Sequence, residues 1–178
     1  MIFPLFRRSP RPGTISALYG AIVAQARLPA FYRDYNVPDT VDGRFELIVL
    51  HLTLLLDRCA EDPGLRSLGQ GVFDLFCEDM DNNLREMGVG DLAVPKQMRR
   101  MGEAFYGREQ AYRGAIAEAD DKALAAALAR DIYGAADGSQ ARRLVAYVRK
   151  AITQLKALDE AALSTGAVGF PEPNSIRV

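Results

Sequence analysis

Apolar residues recur at every third or fourth position through most of this chain, and this spacing constrains the fold more than any other feature. The longest example is a run of eight side chains: Leu65, Leu68, Val72, Leu75, Phe76, Met80, Leu84 and Met87. Residues three and four apart lie on the same face of an α-helix, so the run predicts a long amphipathic helix. Gly88 follows at the position where a left-handed cap commonly ends a helix.

Further segments with helical spacing begin near residues 14, 44, 95, 121 and 142, and no segment shows the alternation of a half-buried strand. Stretches rich in Pro, Gly and Asp separate them, as expected of loops. We therefore predict an all-α fold, with a single compact domain of about six to seven helices over residues 14–163. The flanking segments, 1–13 and 164–178, are rich in Pro, Gly, Ser or Arg, and we predict that both termini are flexible.

Composition excludes several classes of function. The 178 residues include 22 Lys and Arg against 23 Asp and Glu, and a net charge of −1 argues against nucleic-acid binding through bulk charge. The strongest apolar run, residues 45–56, is shorter than the ~20 residues that span a bilayer, and we predict a buried core helix. The N-terminus lacks the order of basic and apolar residues found in a secretory signal, so we expect a cytoplasmic protein. Cys59 and Cys77 are expected to be free thiols.

The sequence contains no complete motif for a metal site or for covalent catalysis. A di-iron carboxylate bundle requires a Glu-x-x-His on each of two helices, whereas this chain has one histidine, His51, whose nearest upstream acid is Glu46. Residues 67–71 and 88–92 contain glycines but match no phosphate-binding loop. We expect a protein that is not an enzyme and has no cofactor. We also expect His51 to lie in the core, hydrogen-bonded to a neighbour.

The charged stretch FCEDMDNNLREMGVGDL, residues 76–92, permits two interpretations. It is either a solvated helix face with local ion pairs, such as Asp81 with Arg85, or a set of acids that holds the next helix through its basic residues. We adopt the second interpretation and expect the outer part of this network to contact a partner. The predicted partner-binding residues are Asp74, Asp79, Asp81, Arg85, Glu86, Lys96, Arg99, Arg100, Tyr106 and Arg108.

The predicted helix that begins at Pro95 carries residues that could belong either to the core or to a binding surface. Phe105 and Tyr112 share its apolar face and are expected in the core. Gly107 lies inside the helix at a cost in propensity, which suggests close approach by another backbone. Four methionines cluster around residues 76–101 and either fill the core or form an adaptable binding face: Met80, Met87, Met98 and Met101.

Three ordered blocks resemble the ubiquinol–cytochrome c chaperone family: QARLPAFYRDYNVPDTVDGRFELIVLH, FCEDMDNNLREMGVGDL and MGEAFYGREQAY. In the first block, the residues that match the family's loop and the helix after it are Pro38, Asp39, Thr40, Gly43, Arg44 and Phe45. In the second they are Asp79, Met80, Asp81, Leu84, Arg85, Glu86, Gly88, Val89, Gly90 and Asp91. In the third they are Phe105, Tyr106, Gly107, Arg108 and Tyr112.

The resemblance implies a non-enzymatic chaperone that binds newly made cytochrome b and assists assembly of the cytochrome bc1 complex. It implies as partners nascent or unassembled cytochrome b, together with the ribosome exit region or a small partner protein. It also implies a peripheral contact with the cytoplasmic face of the inner membrane. The residues themselves leave two alternatives open: a carboxylate-bridged metalloenzyme in a helical bundle, and a carrier of a hydrophobic ligand between Met- and Tyr-rich helices.

Overall fold

A computed structural model describes residues 11–135 and 138–177, and within these ranges the chain forms eight α-helices and no strand. Six helices are long: α1 (Pro12–Ala26), α3 (Val41–Glu61), α4 (Arg66–Glu86), α5 (Val94–Ala117), α6 (Lys122–Tyr133) and α7 (Arg142–Ala157). Two have five residues each: α2 (Pro29–Arg33) and α8 (Glu160–Ser164). The prediction of a compact all-α fold is confirmed. Most of the predicted N-terminal arm, residues 1–13, lies outside the described residues.

Helix α3 is the centre of the fold and packs against α1, α4, α5, α6 and α7. Twelve of its 21 residues are buried, because the sequence is apolar around most of the helix. The predicted buried core helix over residues 45–56 is confirmed. None of the helices in the described ranges has the length and hydropathy that a membrane span requires.

The segment before α3 is built to begin that helix. The Thr40 side chain caps it by accepting a hydrogen bond from the Gly43 N–H at 3.0 Å. Arg44 donates to Asp39 at 2.7 Å across the same turn. A Cβ at Gly43 would lie 2.0 Å from the Pro38 carbonyl oxygen, so only glycine fits without a shift of the backbone. These five residues, all from the first family block, therefore have a local structural role.

Helix α4 ends in the glycine cap that the sequence predicts. Gly88 has φ +83°, and the N–H groups of Gly88 and Val89 donate to the carbonyls of Arg85 and Leu84 at 2.9 and 3.0 Å. These two hydrogen bonds form a Schellman motif, which satisfies the last carbonyls of the helix. Pro95 then lies in the first turn of α5. The two helices are thus joined by a short loop of defined shape.

The segment predicted as a flexible tail, residues 164–178, packs against the helical domain in its described part. The Phe170 ring lies 4.9 Å from the His51 ring, and the Tyr35 hydroxyl donates to the Pro173 carbonyl at 2.7 Å. The Pro and Gly content correctly indicated little helix. The flexibility inferred from it does not apply to the described part of the tail, because a few buried side chains are enough to hold an extended segment against a core.

Candidate functional site

A bidentate ion pair connects α5 to the central helix α3. The Nε and Nη2 groups of Arg108 donate to the two carboxylate oxygens of Glu46, and Nη1 donates to the Ala104 carbonyl at 3.1 Å. The Glu46 side chain is 8% exposed and that of Arg108 is 23% exposed. Burial raises the pKa of the Glu46 carboxyl, and the contact with the guanidinium opposes this rise. Because a lone charge at this depth is costly, each side chain requires the other.

Among the residues that the structure describes, no acid of α4 forms an ion pair with a basic residue of α5, so that prediction is wrong. Asp81 does pair with Arg85 at 2.6 Å, as the spacing of four predicts. Arg85 also reaches forward to Asp91 of the following loop at 2.6 Å. Asp79 instead accepts a hydrogen bond from the Tyr19 hydroxyl of α1 at 2.6 Å. Asp81 and Arg85 therefore pair within α4 and its following loop, and Asp79 binds to α1.

The basic residues at the start of α5 have no ion pair with α4 in the described part of the chain. Lys96, Arg99 and Arg100 are all exposed, and their spacing of three and four places them on one face of the helix. Arg99 lies 3.7 Å from Glu103 of the same helix. On α4, Asp74 and Glu86 are also exposed. The exposed members of the predicted partner-binding set thus lie on two neighbouring helices, α4 and α5.

Aromatic side chains from α3, α4 and α5 form a continuous row. Ring centroids are separated by 6.3 Å between Phe45 and Phe76, and by 5.9 Å between Phe76 and Phe105. Phe73 continues the row, with its centroid 5.0 Å from Phe105 and 6.0 Å from Tyr106. Phe105 is buried, as predicted, whereas Tyr106 is 57% exposed. The row therefore leads from the core to the surface and joins residues of the first and third family blocks.

An open cleft of about 210 Å³ lies beside Tyr106, between α3, α4 and α5. Its lining is largely apolar, with Arg66, Gln70 and Glu109 as its polar members; the apolar lining residues are Leu56, Cys59, Ala60, Phe73, Phe105 and Tyr106. An apolar floor with a polar rim suits contact with an apolar segment of another molecule. We refer to this surface as the Tyr106 cleft.

The Tyr106 cleft has no group suited to nucleophilic catalysis. Cys59 and Cys77 are free thiols, as predicted. Burial raises the pKa of the Cys59 thiol to about 11, so at neutral pH it is protonated and weakly nucleophilic. The described residues contain no group of three or more His, Cys, Asp and Glu side chains placed to hold a metal ion.

His51 has the core role that the sequence predicts. Its Nδ1–H donates to the Leu47 carbonyl at 2.7 Å, and its Nε2 accepts from the Tyr147 hydroxyl, also at 2.7 Å. Burial lowers the pKa of the imidazole to about 4, so His51 is neutral at neutral pH. Its two nitrogens are both satisfied, which leaves neither available as a general base.

Two other sequence interpretations have mixed outcomes. Tyr112 is buried as predicted, but a Cβ added at Gly107 would meet nothing within 4 Å, so the inferred close backbone approach is wrong. Among the methionines, Met80 is buried, Met98 and Met101 pack partly against the core, and Met87 is 64% exposed. The four methionines therefore do not form one binding face.

The three matched blocks give no sign that Phe73 belongs to the cleft, and for Glu46 the spacing to His51 predicts only an unsuitable metal ligand. The signal for Glu46 was available, because an acid inside the run FELIVLH must find a buried cation. Phe73 lies one turn before Phe76 on α4, outside the three matched blocks. Only the packing of α4 on α5 shows that its ring touches Tyr106.

Comparisons with known proteins agree on one family. A model of the ubiquinol-cytochrome C chaperone family matches residues 33–170. The chain is 30% identical over 155 residues to ubiquinol-cytochrome-c reductase complex assembly factor 1 of Xenopus laevis, a match that covers 85% of this chain and 77% of that protein. The protein of the same name in Mus musculus is also 30% identical over 155 residues, but the chain spans only 52% of its length.

A solved structure has the same fold. The crystal structure of the Cbp3 homolog from Brucella abortus matches with a TM-score of 0.84 and 38% sequence identity. The match covers 93% of this chain and 92% of that one. The similarity therefore extends through the whole arrangement of helices that positions the Tyr106 cleft.

Proposed function

Because the chain belongs to the ubiquinol–cytochrome c chaperone family, we propose that it is an assembly factor for the ubiquinol–cytochrome c reductase complex and that it binds newly made cytochrome b. The relatives carry the name of an assembly factor for that complex. The choice of cytochrome b as the client follows from the family resemblance of the three sequence blocks. The proposal assigns binding and no catalysis to this protein.

The observation that best supports the proposal is the row of aromatic rings that ends at the Tyr106 cleft. An unassembled subunit of a membrane complex exposes apolar helix surfaces, and its chaperone requires an apolar contact that remains open to solvent. Tyr106 supplies a rigid and half-exposed ring, and Phe73 and Phe105 support it from below. Aromatic side chains in such positions commonly dominate binding energy. We therefore propose the Tyr106 cleft as the main client contact.

The predicted charged residues take a secondary place in this proposal. Asp74 and Glu86 on α4, and Lys96 and Arg100 on α5, are exposed and available to a partner. Glu109 and Arg66 flank the cleft itself. Charges at the edge of an apolar contact select among partners more than they add affinity. Arg108 is assigned to the fold, because its guanidinium is engaged by Glu46.

Site-specific photo-crosslinking in cells tests the client contact. A photo-reactive amino acid replaces Tyr106 in one strain and Val41 in another. Val41 is the matched control because it is 73% exposed and lies 15 residues before Leu56 on α3, about 22 Å along the helix axis. We expect crosslinks to unassembled cytochrome b from position 106 and few from position 41. Equal crosslinking from both positions, or none from position 106, would contradict the assignment of the cleft.

The same purified protein tests the two alternatives. Bound iron or manganese in stoichiometric amount would favour the metalloenzyme. Copurified lipid, quinone or haem displaced by substitutions at Phe73 would favour the carrier of a hydrophobic ligand. Either result, obtained together with the absence of cytochrome b crosslinks, would replace the chaperone proposal.

A further inference from the structure

The segment after α8, residues 168–177, lies against the helices in an extended form. It contains one short 3₁₀ turn, Pro173–Ser175, and otherwise no regular secondary structure. On either side of that turn the backbone is extended, with φ −63° and ψ 120° at Glu172 and φ −86° and ψ 118° at Ile176. These angles are close to those of a polyproline II helix. An extended backbone of this kind presents carbonyl groups to its neighbours.

The helical domain binds this segment through its backbone carbonyls. Three side chains of the domain each donate to one carbonyl. The pairs are Gln25 with Pro171 at 2.9 Å, Tyr35 with Pro173 at 2.7 Å, and Arg143 with Ile176 at 3.4 Å. Every residue has a backbone carbonyl, so these three contacts depend on the extended shape of the segment and not on the identity of its side chains.

The side chains of the segment form a buried set and an exposed set. The Phe170 ring packs edge-on against the His51 ring, with centroids 4.9 Å apart. The other buried members are Pro171, Pro173 and Ile176, and the exposed members include Glu172 and Asn174. Pro-containing extended segments dock in this way on aromatic surfaces of peptide-binding domains. We refer to the surface formed by Gln25, Tyr35, His51 and Arg143 as the tail-binding surface.

The segment can leave this surface without unfolding a helix. In the part of the chain that the structure describes, no backbone–backbone hydrogen bond joins residues 168–177 to α1, α3 or α7. The linker from α8 is exposed at Thr165, Ala167 and Gly169. Segments that are held mainly by side chains and joined through exposed linkers open at a lower free energy than the core does.

We propose that the tail-binding surface is a peptide-binding site that residues 170–176 occupy within their own chain. The ligand from a partner protein is an extended segment with an aromatic residue followed by Pro-x-Pro, and it exchanges with the tail. A tethered segment has an effective concentration on the order of millimolar, so the tail limits binding of the partner segment. The tail-binding surface shares no residue with the Tyr106 cleft, and this proposal does not depend on the client proposed for that cleft.

Fluorescence anisotropy with a labelled peptide of residues 167–177 tests the proposal. The peptide is titrated with the purified full-length chain and with its Phe170→Ala variant. We expect the apparent Kd to be at least about tenfold lower for the variant, because a weakened tail leaves a larger fraction of the surface open. Ile176→Ala weakens the other end of the tail and is expected to act in the same direction.

Gly43→Ala is the matched control on the protein, because it disturbs the packing against Pro38 and leaves the tail unchanged. It is expected to bind the peptide as the unsubstituted chain does, and circular dichroism checks that each variant remains helical. Two altered peptides are titrated with the Phe170→Ala chain. Loss of the peptide's own phenylalanine is expected to weaken binding about tenfold or more. Replacement of its Glu172 and Asn174 by alanine is expected to have no effect, since both side chains are exposed.

A photo-reactive phenylalanine analogue in the peptide, at the position of Phe170, locates the bound peptide. We expect its crosslinks, mapped by mass spectrometry, in α1, α3 or α7. The proposal is overturned if the peptide binds neither the Phe170→Ala nor the Ile176→Ala chain. It is also overturned if Gly43→Ala increases binding as much as Phe170→Ala does, or if the crosslinks fall on other helices.

Discussion

The ion pair between Glu46 and Arg108 provides the sharpest test of how the fold is held together. Glu46→Leu leaves the Arg108 guanidinium without its carboxylate, and Arg108→Met leaves the Glu46 carboxylate buried alone. Removal of one member of a buried pair costs about 3–5 kcal/mol. Arg108 retains 23% exposure, so we expect each single change to lower the free energy of unfolding by the smaller value, about 3 kcal/mol. This is a large share of the roughly 5–15 kcal/mol that stabilises a typical domain.

The double variant separates this pair from ordinary loss of packing. With both charges replaced by apolar side chains, nothing is left unpaired, and we expect the double variant to be about 2 kcal/mol more stable than the sum of the single losses predicts. Urea denaturation of the unsubstituted chain, the two single variants and the double variant measures these free energies of unfolding. The values can be compared if the m-values are unchanged. The matched control is the same cycle on Asp81 and Arg85, an exposed pair within α4. Its coupling is expected to be small, because solvent screens it.

Strictly additive losses for Glu46→Leu and Arg108→Met would refute the argument. They would show that the two side chains stabilise the protein independently. Coupling of equal size at Asp81 and Arg85 would also refute it, because burial would then have no effect on the strength of the pair.

Further predictions follow from other contacts. Gly43→Ala should lower the free energy of unfolding by about 2 kcal/mol or more, because its Cβ would meet the Pro38 carbonyl. Gly107→Ala should raise the free energy of unfolding by about 0.5–1 kcal/mol, since nothing lies within 4 Å of its Cβ. Thermal unfolding compares the two variants, and equal effects would contradict the close packing at Gly43. The imidazole of His51, the one histidine of the chain, should titrate by NMR with a pKa near 4 and not near its ordinary value. The unfolded chain binds a proton at His51 at a higher pH than the folded chain does. Protonation therefore leaves the free energy of unfolding unchanged above about pH 6.5 and lowers it by about 3 kcal/mol as the pH falls toward 4. Phe170→Ala should lower the free energy of unfolding by about 2 kcal/mol in urea denaturation, because the Phe170 ring packs against His51. An unchanged free energy of unfolding would instead support a flexible tail.

The sequence predicts features that depend on a few neighbouring residues. The spacing of apolar residues identifies the long helices, the glycine at position 88 predicts the end of α4, and the interval of four predicts the pair of Asp81 with Arg85. Each of these contacts is decided within one or two helical turns. These features can therefore be predicted without knowing which helices are neighbours.

The partners of charged groups across the fold were not predictable in the same way. Arg108 pairs with Glu46, 62 residues earlier, and Asp79 accepts from Tyr19, 60 residues earlier. The short loop between α4 and α5 predicts that the two helices pack together, and they are indeed adjacent. The faces of α4 and α5 that meet depend on how both helices pack against α1 and α3. This packing involves residues that are distant in the sequence. The Tyr106 cleft was missed for the same reason.

The amount of assembled ubiquinol–cytochrome c reductase in cells tests the central claim most directly. The complex is measured by native electrophoresis in strains that carry the unsubstituted chain, no chain, Tyr106→Asp or Val41→Asp, each variant at equal abundance. We predict that the complex is lost without the chain, falls sharply with Tyr106→Asp and remains normal with Val41→Asp. Normal amounts of the complex in the strain without the chain would contradict the proposed function, and normal amounts with Tyr106→Asp would contradict the role of the cleft.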